Sequence, residues 1–405
     1  MQSRYRFHSV LFGASLLMSL ASGMVNYALI FYVRDLFSAD KAAVGLISSA
    51  LTLLYFMGII VFLSWKKPHP RFVLWFATWV MALCIGVYLI IPDWKVTFIF
   101  HGLFGLAMAL FWPRIMGWLS WGVEGKDLGR TMGRFNFSWA FGGILSPYLG
   151  GLLVEIDLRL PFIVAMILLA ATGLLMPIGA KLFPGFKDRH QPTPAEAVSD
   201  SGDEATRARA TAAASTQLTE PTRLRYPARL AGVNAYFLTG ALLFIFPAFA
   251  KDSLGFSESL IGLFLLVRMA AATLGFEIWG RWTFWHFRFW PLAAATAVLI
   301  CLALVFPAGS HAWQFYVLFA SVGLIFSFLY SYALFHGVAG SLHRERSMTI
   351  HEAALNIGLF SGTLLCGWVS ETWSMNIMFI LCAAVSTFLL LAQVALRVAW
   401  KRVHP

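Results

Sequence analysis

The chain has 405 residues, of which 59% are hydrophobic and only 12% charged. Soluble domains carry about 25% charged residues, so a soluble enzyme, a disulfide scaffold and a disordered chain are excluded and a membrane protein remains. The formal net charge of +11 does not by itself call for nucleic acid, because Lys and Arg gather in cytoplasmic loops of membrane proteins for reasons of topology.

Crossing a hydrocarbon core takes about 20 mainly apolar residues. Runs of that kind fall near residues 8–33, 42–64, 72–91, 96–119, 131–154, 160–183, 228–250, 258–280, 289–307, 312–339, 347–370 and 375–397, which predicts twelve spanning helices. The first run carries small residues at Ser19 and Ala21, as a cleaved signal would, but its apolar stretch continues to Val33, which favours a retained helix. Cys84, Cys301, Cys366 and Cys382 lie singly within these runs, without metal-ligand spacing, so neither a metal nor a cofactor is expected. Between residues 184 and 226 the composition turns to Pro, Ala, Ser, Thr and mixed charge, too poor in large apolar groups to offset ordering entropy. The predicted organisation is therefore a six-helix bundle at 1–183, a flexible cytoplasmic linker at 184–226 and a second six-helix bundle at 227–405. With both termini and the linker on one side, only Arg34, Lys41, Lys95, Arg159 and Lys251 of the 30 Lys and Arg fall in loops or helix ends on the other, and Arg114 and Arg268 fall within helices. That asymmetry predicts cytoplasmic termini in a cell membrane.

The two halves repeat. A shift of 217 residues pairs Gly23 with Gly240, Arg34-Asp35 with Lys251-Asp252, Gly45 with Gly262, Gly58 with Gly275 and Trp65 with Trp282. Further on, a shift of 216 pairs Arg130 with Arg346, Met132 with Met348, Gly142 with Gly358 and Gly151 with Gly367. The matches fall at equivalent points of successive helices, as expected of a duplicated bundle.

Twelve helices in two tandem six-helix halves resemble the major facilitator superfamily of secondary transporters, and the resemblance covers nearly the whole chain. In the fifth helix, Gly142, Pro147, Gly150 and Gly151 are similar to the antiporter motif GxxxGPxxGG of that family, with Ser146 standing where the motif has Gly. These residues are read as conformational, since Pro opens a helical hydrogen bond and Gly lets backbones approach. In the fourth helix, His101 to Ala109 is similar to the family's RxxqGxgaa motif, with His101 in place of the Arg associated with proton coupling. The loop from Trp65 to Arg71 lacks the Asp of the family's GxLaDRxGRR signature, which implies a differently latched gate. The fold implied is an all-α membrane protein of twelve helices in two pseudo-symmetric bundles that rock about a midplane site.

A charged group in mid-membrane needs a partner or a wet cavity. Arg268 falls near the middle of the eighth helix, and Glu352 about one and a half turns inside the eleventh, next to His351. The repeat sets Leu51 opposite Arg268 and Asn136 opposite Glu352, so the charged pair exists in one half only. At 1.5 Å per residue their depths differ by about 10 Å, a gap two long side chains nearly bridge. Glu352 is the candidate proton carrier, with His351 and His101 as further candidates. Arg268 either holds the deprotonated carboxylate or binds an anionic group of the solute. Asn26, Trp112, Asn136, Asn234, Tyr236, Tyr330, Tyr332 and His336 are candidates to line the substrate cavity.

The resulting expectation is a monomeric secondary transporter of a small organic solute in the lipid bilayer, with protons as coupling ion and export by antiport. Proton-driven uptake, or a non-transporting sensor or assembly protein on the same fold, are the alternatives. A membrane enzyme is not expected, because no phosphate loop, HExxH, GxSxG or His/Cys cluster occurs.

Overall fold

In hydrocarbon every backbone polar group must be satisfied within the segment, so apolar runs of this length fold as helices. The computed structural model describes residues 2–63, 69–120, 125–182, 223–338 and 344–403. Among them are twelve helices long and apolar enough to cross a membrane. They are α1 (Gln2–Phe37), α2 (Lys41–Leu63), α3 (Pro70–Ile90), α4 (Trp94–Ser120), α5 (Gly125–Ile156) and α6 (Leu160–Leu182). The second set is α7 (Arg225–Leu254), α8 (Glu258–Arg281), α9 (Phe289–Ala308), α10 (Ala312–Val338), α11 (Arg344–Thr372) and α12 (Met375–Val403). Most of the expected linker lies outside the described residues, and α7 begins at Arg225, just inside its expected end. Large apolar side chains such as Ile60, Leu83, Ile167 and Phe388 are exposed on the outside of the molecule, the arrangement a lipid solvent favours.

An even number of crossings returns both chain ends to one face, called here the terminal face; the opposite face is the far face. Local sequence sets the far-face turns. Gly255, at φ 66°, takes the left-handed conformation that ends α7, and the Ser257 hydroxyl caps α8 by accepting from the Leu260 N–H. Within α7, Pro247 lacks the N–H for a regular turn, and the helix widens to a π-turn over Ala241–Ile245.

The duplication is visible atom by atom. Gly262 of α8 packs on the Pro147 carbonyl of α5, and its repeat mate Gly45 of α2 packs on the Thr363 carbonyl of α11. Gly151 of α5 packs on the Glu258 carbonyl, and Gly367 of α11 on that of Lys41. These four contacts form the seam where the bundles meet, α5 against α8 and α2 against α11. Inside each bundle, Gly105 of α4 crosses α2 over the Leu51 carbonyl, and Gly323 of α10 crosses α8 over the Arg268 carbonyl. A Cβ at any of these glycines would collide with backbone.

Because Gly105 and Gly323 hold equivalent crossings, Gly105→Ala and Gly323→Ala should each lower stability by about 1–3 kcal/mol, the usual cost of overpacking. Thermal unfolding of the purified protein in detergent checks this, with equal losses expected at the two positions.

Candidate functional site

The far face is closed by charge as well as by packing. At the ends of α1 and α7, Arg34 pairs with Asp252, and Lys251 pairs with Asp35 at 2.7 Å. The two pairs are images of each other under the repeat, since Arg34 corresponds to Lys251 and Asp35 to Asp252. Lys251 also reaches Glu258 at 2.6 Å. The helix starts are held the same way: Glu155 of α5 accepts from the Ser259 N–H of α8 at 2.8 Å, and Glu371 of α11 accepts from the Lys41 N–H of α2 at 3.0 Å. A carboxylate at a helix N-terminus meets unsatisfied N–H groups and the positive end of the dipole. Tyr27 of α1 adds a hydrogen bond to the Glu258 carbonyl.

The α5 motif sits against this seam. Pro147 removes the N–H that would bond the Gly143 carbonyl, and the Ser146 hydroxyl donates to that carbonyl at 3.2 Å. Room for the hydroxyl comes from α1, where Gly23 has no Cβ to meet it. Ser146 therefore repairs the opened turn, which a Gly there would leave open. Gly142 lies against the Leu16 carbonyl and Gly150 against Tyr27 of α1, while Gly151 meets α8. One helix thus packs closely on its own bundle with one face and on the other bundle with the next.

Below the seam lies an aromatic and ionisable cluster. Tyr236 of α7 and Tyr330 of α10 have ring centres 6.3 Å apart, and Phe326 lies 5.4 Å from Tyr236. His351, 1% exposed, sets its ring 5.6 Å from Tyr330, and neither ring nitrogen has a hydrogen-bond partner. Glu352 is half-buried; its carbonyl accepts from Asn356, whereas its carboxylate makes no hydrogen bond or ion pair among the described residues. The charge of Glu352 is within electrostatic range of Tyr236, Tyr330 and Tyr55. Tyr55 belongs to α2, in the opposite bundle.

Arg268 is 4% exposed and does not pair with Glu352. Its Nη2 donates to the Thr239 hydroxyl of α7 at 2.7 Å, and the guanidinium lies 4.9 Å from the centre of the Phe326 ring. The expected bridge fails on depth. Glu352 stands 20 residues before the far end of α11 and Arg268 ten residues after the far end of α8, a difference of about 15 Å along the axes rather than 10. Tyr236 stands within electrostatic range of both.

Other expected residues lie elsewhere. Tyr332 and His336 pack against the α8–α9 turn: the Tyr332 hydroxyl donates to the Arg288 carbonyl at 2.9 Å, and His336 faces Phe287 and Phe335. They anchor a terminal-face turn and do not join the aromatic cluster. Asn234 accepts from Ser386 of α12 at 2.7 Å, an internal tie of the second bundle. His101 is fully buried in α4, stacked on Phe104 with neither ring nitrogen hydrogen-bonded. Trp112 packs on Phe111 and Phe135. Asn26 leaves its carbonyl oxygen buried without a partner. Among the described residues no hydrogen bond, ring contact or ion pair joins Asn26, Trp112 or His101 to the cluster. The Asn136 side chain lies outside the described residues. Among the described residues no group of three His, Cys, Asp or Glu is placed to hold a metal ion.

Two helical bundles that meet at one face beside an off-centre ionisable cluster are the architecture of a twelve-helix membrane transporter. The chain matches the Major Facilitator Superfamily over residues 11–336 and belongs to that family. It is a multi-pass membrane transporter, not an enzyme. No curated protein matches it by sequence. Among solved structures it is similar to a bacterial homologue of the human lysosomal transporter Spinster in an inward-facing, occupied conformation, at 12% identity and TM-score 0.73 over 99% of this chain and 97% of that one. A POT family transporter in complex with a thioalcohol-conjugated peptide matches at 13% identity and TM-score 0.71, over 96% of each chain. The nucleoside transporter NupG matches at 14% identity and TM-score 0.68, over 96% and 98%. At these identities the likeness is one of fold.

Partly exposed ion pairs are each worth under about 1 kcal/mol, so Asp252→Asn should raise maleimide labelling of a Cys placed at the buried seam position Val44 about two- to fivefold. The charge exchange Arg34→Asp with Asp252→Arg should return labelling toward the starting level.

Proposed function

We propose that this protein is a proton-coupled secondary transporter that exports a small organic solute by antiport. The observation that carries the reading is the Glu352 carboxylate, half-buried in α11 with no partner among the described residues, beside His351, whose ring nitrogens make no hydrogen bond among them, and within electrostatic range of Tyr55 on the opposite bundle. Ionised, the carboxylate favours separation of α11 from α2 around Tyr55, where water can solvate it. Protonated, it tolerates the dry approach of the two helices at its own depth. A group whose charge decides whether two bundles can close is what coupling requires, because a ligand shifts a conformational equilibrium only by its differential affinity for the two states.

Export rather than uptake is supported by the α5 motif, whose small residues lie at the α1–α5–α8 crossing. The bundles correspond to residues 1–183 and 227–405, with 184–226 as the connecting segment. The terminal face is cytoplasmic in a cell membrane, by the distribution of Lys and Arg, so the closed far face makes this an inward-facing state.

The test is proton flux into proteoliposomes bearing the purified protein, read with a pH-sensitive dye as a candidate solute is driven across. Solute-dependent proton movement is expected for the wild type and should be lost in Glu352→Gln, while solute exchange without a gradient persists in the variant. Solute exchange with no proton movement in the wild type would sink proton coupling, and binding without any exchange would favour the non-transporting sensor.

A further inference from the structure

We infer that Arg268 is the binding site for an anionic head group of the transported solute, and that the solute is an organic anion with a flat apolar body. The inference rests on the transporter reading and adds the substrate class to it. Arg268 is buried at mid-helix; among the described residues its side chain makes a single hydrogen bond, to the Thr239 hydroxyl, and its Nε has no partner. The Thr239 hydroxyl donates its own proton to the Ala235 carbonyl at 2.8 Å, so it serves the guanidinium as an acceptor and carries no charge. Among the described residues no carboxylate pairs with Arg268, and the one ionisable group in electrostatic range is Tyr236. A guanidinium stays charged under all working conditions. It is therefore a fixed positive charge in a low-dielectric setting with no counter-ion among the described residues.

The fold does not need that charge. The α8–α10 crossing, where Gly323 rides on the Arg268 carbonyl, is built a second time where Gly105 of α4 rides on the Leu51 carbonyl of α2. Leucine occupies the equivalent place in the first bundle, so packing alone makes the crossing. An arginine required for architecture would recur in both copies; one present only beside the aromatic cluster points to a ligand.

The surroundings specify the rest of the solute. The guanidinium faces the Phe326 ring, and the ring centres of Phe326, Tyr236 and Tyr330 lie 5.4 to 6.3 Å from one another. A planar body fits against these faces while a carboxylate accepts from the guanidinium fork, which matches it two-point. Glu352, about 15 Å away along the helix axes, disfavours a second negative charge on the far end of such a solute. The class is thus a monoanion. Proton uptake at Glu352 and anion binding at Arg268 are separate events on one cluster, linked through Tyr236, which lies within electrostatic range of both.

The test uses one ring scaffold in three charge states: 4-hydroxyphenylacetate, tyramine and 4-ethylphenol, each titrated against the full-length protein by thermal shift and by exchange into proteoliposomes. Arg268→Leu, which installs the side chain of the repeat mate, keeps the crossing; Arg268→Lys keeps the charge and removes the fork. The acid alone should stabilise the wild type, with affinity lowered about tenfold or more in Arg268→Leu and by an intermediate factor in Arg268→Lys. Tighter binding of tyramine or 4-ethylphenol, acid binding unchanged in Arg268→Leu, or binding of none of the three would overturn the inference. Exchange of tyramine independent of Arg268 would do so while leaving the transporter reading intact. Arg268-dependent binding of the acid with no exchange would uphold the inference and refute transport.

Discussion

The close approach of helix backbones over glycine is the constraint on which the rest of the structure depends. Lipid offers no hydrophobic drive between helices, so bundles associate through tight packing and a few polar contacts. Here the seam between bundles is made where Gly45, Gly151, Gly262 and Gly367 meet carbonyls of the partner helix without an intervening side chain. Such contacts are close but not interlocked, so they can separate without unthreading side chains. The reciprocal pairs Arg34–Asp252 and Lys251–Asp35 then supply a modest bias, strong enough to favour closure and weak enough to be reversed.

Duplication supplies both symmetry and its controlled loss. The seam, the bundle crossings and the far-face ion pairs recur at a spacing of 216 or 217 residues, so they belong to the machinery that any such bundle pair needs. The exceptions are chemical: Leu51 becomes Arg268, and Asn136 becomes Glu352. Both new charges lie in the second bundle, one lodged between α7, α8 and α10 and the other half-buried on α11. Each copy builds the scaffold, and the two charges are added on one side.

The sequence made the architecture legible because spans and repeats are properties of spacing. Twelve apolar runs matched twelve helices, and the pairing of Gly45 with Gly262 and of Arg34-Asp35 with Lys251-Asp252 anticipated contacts that the structure places at the seam. Azimuth and exact depth were less legible. Tyr332 and His336 sit on the right helix but face the α8–α9 turn, and Asn234 faces α12; composition fixes how deep a residue lies far better than which neighbour it meets. Helix boundaries a few residues longer than the apolar runs were enough to move Arg268 and Glu352 apart. Tyr55 and Thr239 gave no local signal, since a Tyr or Thr in an apolar helix is ordinary; only the repeat, by asking what stands opposite Glu352 and Arg268 across the fold, would have drawn attention to their surroundings.

The central claim is that the closed far face is one of two alternating states. Double electron–electron resonance between spin labels at Leu36 and Ser253 on the far face, and between labels at Phe72 and Phe284 on the terminal face, measures this directly. Two distance populations are expected for each pair, with the far-face distance lengthening as the terminal-face distance shortens when pH or solute is changed. A single unchanging distance at both faces under all those conditions would contradict the claim.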